Sequence, residues 1–260
     1  LRQSYPNAAI AFASTSGEIA YNNVYDHSIV TVAIWFEKSS IIAVATDVRD
    51  HKSSFEAGVF LRNAFADKDL KSIFVLSDGT LVNGSELVQG LNHPDSREVL
   101  ITGGLAGDAD RFQQTFTGLN AIPEAGKIIA IGFYGDSLEI GSGSLGGWDE
   151  FGPERIITGS EKNVLHSIDH KNALELYKEY LGPFKNELPG SALLFPLSIS
   201  GENQDKKLVR TILSIDETSG TMTFAGNMPV GSKVRLMKAN FDKIIDASAS
   251  VAKQILHKQN

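Results

Sequence analysis

The segment Gly103-Gly104-Leu105-Ala106-Gly107-Asp108, with Phe112 close behind, gathers the residue types best suited to holding a ligand. Glycines let the backbone approach a bound molecule and reach positive φ, turning N–H groups toward a carboxylate or phosphate. Asp108 offers a partner for an amino group or a ligand hydroxyl. The same residues also suit a tight strand-to-loop turn in which Asp108 caps backbone amides. Neither Gly-x-Gly-x-x-Gly nor a P-loop ending in Gly-Lys-Ser/Thr is present, which argues against nucleotide binding. Ser14, Thr15 and Ser16 cluster three hydroxyls that serve either a small polar ligand or their own loop. Arg210 follows Val209 in an alternating strand; pointing inward it clamps a carboxylate, pointing outward it is a surface charge. Trp148 is either a packing anchor or a platform beside a cleft.

A catalytic reading finds less. Hydrolysis at Ser14 or Thr15 needs an adjacent base oriented by a carboxylate. The six histidines, at 27, 51, 93, 166, 170 and 257, sit in no recognisable catalytic motif, and there is no Gly-x-Ser-x-Gly elbow. His166 and His170 have the i,i+4 spacing that shares a helical face, yet they lack the His-Glu-x-x-His pattern, and Asp169 lies between them in a strand-to-helix turn. The chain has no cysteine, which excludes disulfides, thiol nucleophiles and cysteine-ligated metals. No catalytic residue and no metal site is assigned, and a binding protein is expected rather than an enzyme.

The elements that must position these residues are legible in outline. At 260 residues the chain exceeds the ~100–150 of a typical domain, so two units or one large one are expected. Ala8–Ala13, Ile29–Phe36, Ile41–Thr46, Ile73–Leu76, Val99–Thr102, Gln114–Gly118, Lys127–Tyr134, Leu138–Ser142, Leu208–Ile215, Met222–Ala225 and Lys233–Met237 read as strands, with Ile29–Phe36 and Ile41–Thr46 adjacent. Ser53 with Glu56 forms a capping box before a helix carrying Gly58, Leu61 and Phe65 on one face. Ser77-Asp78-Gly79 is turn-prone, and Asn83 with Glu86 opens a short helix that ends before Pro94. Ala173, Leu174, Tyr177 and Leu181 mark a helix stopped by Gly182-Pro183. Glu217-Thr218-Ser219-Gly220 is a hairpin turn. The last helix, capped by Asn240, has Phe241, Ile244, Ile245, Ser248, Val251 and Ile255 on one side. Strands outnumber helices and meet through short turns. This pattern points to two tandem α/β (α+β) modules of mixed, largely antiparallel sheets covered by helices. The boundary is placed in Gly143–Trp148, closed by Gly152-Pro153, giving modules 1–145 and 146–260.

Formal net charge is −7, and the longest basic cluster is only Lys206-Lys207, so nucleic-acid binding is not expected. No run approaches the ~20 apolar residues of a membrane span. Leu1–Pro6 lacks the pattern of a signal peptide and reads as the tail of a helix, so a cytoplasmic location without membrane insertion is expected.

Four segments, in order, resemble the FIST family, a sensory module named for F-box and intracellular signal-transduction proteins. Ser14-Thr15-Ser16-Gly17-Glu18-Ile19 is similar to its early Ser-Thr-x-Gly-Glu-Ile loop, and Gly103–Asp108 with Phe112 to its central glycine motif. Gly147-Trp148 with Gly152, Asn163-Val164-Leu165 and Ala173–Gly182 resemble the start of its C-terminal half. Val209-Arg210 and Gly226–Gly231 before Val234–Met237 resemble the strands that follow. Phe12-Ala13 stands where the family usually has Gly-Cys, so a cysteine-dependent role at that loop is absent. The resemblance also implies a strand before residue 1 and strands after residue 260. It implies a sensor that binds a small polar ligand such as an amino acid. Its contacts would come from Ser14–Ser16, Gly103–Asp108, Phe112, Trp148 and Arg210. It further implies a downstream signalling partner such as a kinase or cyclic-nucleotide enzyme. No cofactor is assigned; some relatives resemble haem-based sensors, which makes His27, His51 and His93 the nominal axial ligands. The F-box relatives imply the alternative of a protein-recognition scaffold.

Overall fold

The computed structural model describes residues 1–93, 97–200 and 207–258; Lys206 and the side chain of His257 lie outside the described residues. The chain divides into two compact units, Leu1–Ile140 and Gly141–Asn260. Both are α+β.

The first unit contains β1 (Ala11–Ala13), β2 (Glu18–Ala20), β3 (Asn23–Tyr25), β4 (Ser40–Asp47), α1 (Ser54–Asn63), β5 (Leu70–Ser77), α2 (Gly84–Leu91), β6 (Leu100–Leu105), β7 (Thr117–Leu119) and β8 (Lys127–Tyr134). Four of these strands form a sheet in the order β4-β8-β5-β6. The β4–β8 and β8–β5 pairs are antiparallel, while β5 and β6 run parallel because α2 carries the chain back between them. Leu61 of α1 and Leu87 and Leu91 of α2 pack with Ile73, Ile128 and Ala130 of the sheet. Ser53 caps α1 by accepting the Glu56 N–H at 3.3 Å. The Glu56 carboxylate reaches back to Lys52 N–H at 3.2 Å, one residue before the capping-box position. The two helices cross at glycines. A Cβ on Gly58 would collide with the Leu87 carbonyl oxygen, and one on Gly90 with that of Phe55.

The second unit contains β9 (Trp148–Glu161), β10 (Val164–Ile168), β11 (Lys171–Asn172), α3 (Ala173–Leu181), β12 (Leu197–Ser200), β13 (Leu208–Arg210), β14 (Ile212–Asp216), β15 (Thr221–Phe224), β16 (Lys233–Ala239) and α4 (Phe241–Lys258). Its strands order as β13-β12-β16-β9-β10-β15-β14, with β11 attached to β10. β13 and β14 stand at opposite ends of that order, yet only Thr211 separates them, so the sheet curls until its ends nearly meet. Leu174, Tyr177 and Leu181 of α3 fill the curl with Leu165, Leu197, Met222, Phe224 and Leu236. Burial raises the Tyr177 phenol well above its ordinary range, and its hydroxyl donates to the Phe195 carbonyl at 2.7 Å.

Several sequence expectations need correction. Ile29–Phe36 pairs with no strand among the described residues, although its composition suits one. Leu138–Ser142 likewise forms no strand, and Gln114–Gly118 contracts to β7. Leu208–Ile215 is two strands, broken at Thr211 where the sheet ends converge. Gly152-Pro153 lies inside β9, where three residues oppose one of β16 in a bulge between Phe151 and Arg155. Gly152 has φ +70°, and its carbonyl accepts the Arg235 Nε–H at 2.8 Å. His166 lies on β10 and His170 in the turn to β11, where Asp169 and His170 both have positive φ; no helix carries the pair.

Two predictions follow from the first unit's packing. Alanine is the better helix former by up to ~1 kcal/mol, yet Gly90→Ala should destabilise by about 2 kcal/mol in urea titration, because the crossing has no room. Asp47 is buried at the end of β4, and the Arg49 side chain grips it through Nε at 2.8 Å and a terminal nitrogen at 2.5 Å. That fork, helped by the Arg49 N–H and Lys127, holds the Asp47 carboxyl far below its usual range against the opposing effect of burial. Its contribution is therefore complete above the ordinary aspartate value of about 4 and lost as pH falls below it. Asp47→Asn should be about 1–2 kcal/mol less stable at neutral pH, with melting curves converging on the parent's toward pH 2.

Candidate functional site

The first unit brings Ser14, Ser16, Gly107 and Asp108 together, and their polar groups bond largely to one another's main chain. The Gly107 N–H donates to the Ser14 carbonyl at 3.0 Å, and the Ala106 N–H to the Ser77 carbonyl at 2.7 Å. Ser14 Oγ accepts the Phe116 N–H and Ser16 Oγ the Ala109 N–H. A Cβ on Gly107 would collide with Ser16 Oγ, so the glycine lets the two loops touch. Asp108 is buried and accepts the N–H groups of Phe112, Gln113 and Gln114 at 3.2, 2.7 and 3.0 Å. Thr15 Oγ1 donates instead to Glu18 at 2.6 Å, and this bond with that of Ser28 draws the Glu18 pKa down.

Beside this cluster lies Asp78, fully buried. One oxygen accepts Thr80 N–H, Thr80 Oγ1–H and Leu81 N–H; the other accepts Thr115 Oγ1–H and Gly126 N–H. A buried carboxylate is tolerated when its lone pairs are filled, and here five donors fill them. Gly103 and Gly104 sit apart on β6, the sheet edge, and both are exposed. Gly103 has φ +143°, and a Cβ there would collide with the Val75 carbonyl. Gly104 faces open space.

Trp148 and Arg210 belong to the second unit. The Arg210 Nε–H donates to the Asn227 carbonyl at 3.1 Å, and burial lowers the pKa of its guanidinium. Trp148 opens β9 and pairs with Ala239, the last residue of β16. From that pair the chain runs outward on both sides, as the strap 143–147 and as α4. The Asn240 N–H donates to the Gly147 carbonyl at 3.0 Å. The Asn240 side chain caps Lys243 N–H at 3.1 Å and donates to Asp149 at 2.7 Å. Asn240 and the Lys243 ammonium both keep the Asp149 carboxyl below its usual range. Glycine lets the strap lie on the helix: a Cβ at Gly147 would collide with Ile244, and one at Gly143 would press within 2.9 Å of Val251.

Between strap and helix lies a groove of about 500 Å³. Trp148, Ser144, Leu145 and the strap glycines line one wall; Ile244, Ala247, Ser248 and Val251 line the other. Among the described residues neither serine hydroxyl has a hydrogen-bond partner in the protein. Of the ligand-contact residues named from the sequence, only Trp148 lines this groove. The signal for the opposite wall was Ser248, a hydroxyl in the otherwise apolar stripe of α4.

The nominal haem ligands do not assemble. His51 Nε2 lies 2.7 Å from Thr46 Oγ1 with its ring on Phe60, His93 packs on Phe55, and His27 is exposed. None of them lines the groove.

Two family models together cover nearly the whole chain. The FIST N domain matches residues 1–171 and the FIST C domain residues 173–260, so the chain belongs to the FIST family. FIST domains are associated with sensory roles in signal transduction. No curated protein and no solved structure gives a significant match to the chain. The two family segments join near residue 172, inside the second compact unit rather than at its edge. No helix among the described residues is long and apolar enough to cross a membrane.

If Asp108 serves the loop's own amides, Asp108→Ala should cost about 2–3 kcal/mol and speed amide exchange at Phe112–Gln114. Unchanged exchange at those amides would contradict the role.

Proposed function

We propose that this chain is the sensing module of a cytoplasmic signal-transduction protein, and that a small polar ligand such as an amino acid seats between the strap and α4. The observation that carries this reading is the groove, whose volume of about 500 Å³ falls within the ~300–1,000 Å³ typical of small-molecule sites. Its walls offer strap main chain and two hydroxyls for a polar head, and Ile244, Ala247, Val251 and the Trp148 ring for an apolar stem. No lining residue is titratable, which favours binding over catalysis, since a reaction would need an acid–base pair in the site.

The output follows from the wall that moves. α4 is tied to the strap by the Asn240–Gly147 bond and the glycine contacts, and to β9 by Lys243 on Asp149, so a ligand wedged there biases the helix position. It does so only through unequal affinity for two positions, and about 5.5 kcal/mol separates a nearly complete switch from none. Phe241, Ile245 and Leu256 are exposed on α4 and offer a contact for a downstream protein, such as a kinase or cyclic-nucleotide enzyme. The scaffold reading draws instead on the exposed residues between Ile29 and Trp35.

Thermal-shift screening against amino acids, organic acids and haem tests the proposal, with Trp148 emission followed in a Trp35→Phe background. A ligand at a hundred times its Kd stabilises by about 2.7 kcal/mol and should perturb Trp148. Ser248→Leu should abolish the shift, while Gly104→Val, whose side chain enters open space, should leave it intact. The reverse pattern would move the site to β6. No shift with any compound would remove the sensing reading and leave the scaffold.

A further inference from the structure

Residues 29–36, Ile-Val-Thr-Val-Ala-Ile-Trp-Phe, have the composition of a central strand and no pairing partner among the described residues. Ile29 is 91% exposed, Val32 79%, Ile34 67% and Trp35 86%. Isolated exposed apolar residues are ordinary, but a continuous run of this kind marks an interaction surface. A few residues later begins β4, which pairs with β8 on one side and with nothing described on the other. Edge strands are usually guarded by lysine, proline or a bulge. β4, Ser-Ile-Ile-Ala-Val-Ala-Thr-Asp, has no lysine or proline, and its pairing with β8 runs without a register shift. An unpaired run of strand composition and an unguarded edge, each eight residues long, thus occur in one chain.

Phe36 decides which copy's edge the segment fits. Its ring packs edge-to-face on Phe133 of β8 at 5.9 Å, and Phe133 lies opposite Ile41 of β4. Only Glu37-Lys38-Ser39 joins this contact to the start of β4. Folding 29–35 back along its own β4 through a turn of only Glu37-Lys38-Ser39 would set Phe36 opposite Ser40, whose row with Tyr134 faces the other way from the row of Ile41 and Phe133, and the ring contact would be lost. Pairing with the β4 of another molecule keeps the contact.

We propose that residues 29–35 add as a strand to the open edge of β4 in a second copy of this chain, reciprocally, forming a two-fold dimer. The exchange is isologous, so one segment and one edge per copy complete it. The exposed side chains offer roughly 600–700 Å² per copy, near the ~800 Å² per partner of a standard stable interface, before any main-chain bonds are counted.

The chain lacks cysteine, which makes cross-linking clean. The whole protein should sediment at twice the chain mass. Ile34→Lys and Ile42→Lys, each at an exposed position, should halve that mass while leaving circular dichroism unchanged. Single variants Ala33→Cys and Ala43→Cys, mixed and oxidised, should yield a disulfide-linked species containing one of each. A monomer over a wide concentration range overturns the proposal, whether Trp35 emission reports burial against its own β4 or exposure to water. A dimer that survives both lysine variants and forms no mixed disulfide overturns it equally.

Discussion

The candidate groove depends on one antiparallel pair. Trp148 opens β9 opposite Ala239, the end of β16, and the ladder stops there. Past that pair the two chain segments remain close, because the Asn240 N–H is held by the Gly147 carbonyl and Asp149 is shared by Asn240 and Lys243. The glycines then decide how near the strap comes to α4, and the space left over is the groove. The ladder itself is fixed by the curl of the sheet, which Thr211 imposes by joining its two ends.

The first unit solves a different problem with the same residue types. Its buried carboxylates, Asp78 and Asp108, are filled by main-chain donors, joined at Asp78 by the hydroxyls of Thr80 and Thr115. Leaving such groups without partners would cost several kcal/mol, so their saturation fixes the loops at 77–81 and 106–116 in place. Glycines there serve close approach of loops, as Gly107 does against Ser16. In the second unit Gly143 and Gly147 bring a strap against a helix and leave a groove open beside it.

What was legible in the sequence was what local chemistry decides. The caps Ser53, Asn83 and Asn240 begin helices because their oxygens accept nearby amides, and no distant residue is needed. β4, β5 and β8 were legible because their buried faces are rich in branched residues. Strands fail where a partner is required: Ile29–Phe36 has the right composition and no neighbour, and Leu208–Ile215 splits because the sheet closes at Thr211. β9 was hidden because Gly152-Pro153 has the chemistry of a linker and also that of a bulge. At the site, Trp148 could be singled out by type. Its facing wall could not, since Ile244 and Val251 lie about a hundred residues away and look like ordinary core positions.

The seam between the family segments has a consequence for where the chain can be cut. β9 and β10 fall within the N-terminal family segment, yet they pair with β16 and β15 of the C-terminal one. The amino-terminal portion thus lends two central rungs to its neighbour's sheet. Cutting the chain at the seam would therefore take β9 and β10 away from β16 and β15 and open the sheet that encloses α3.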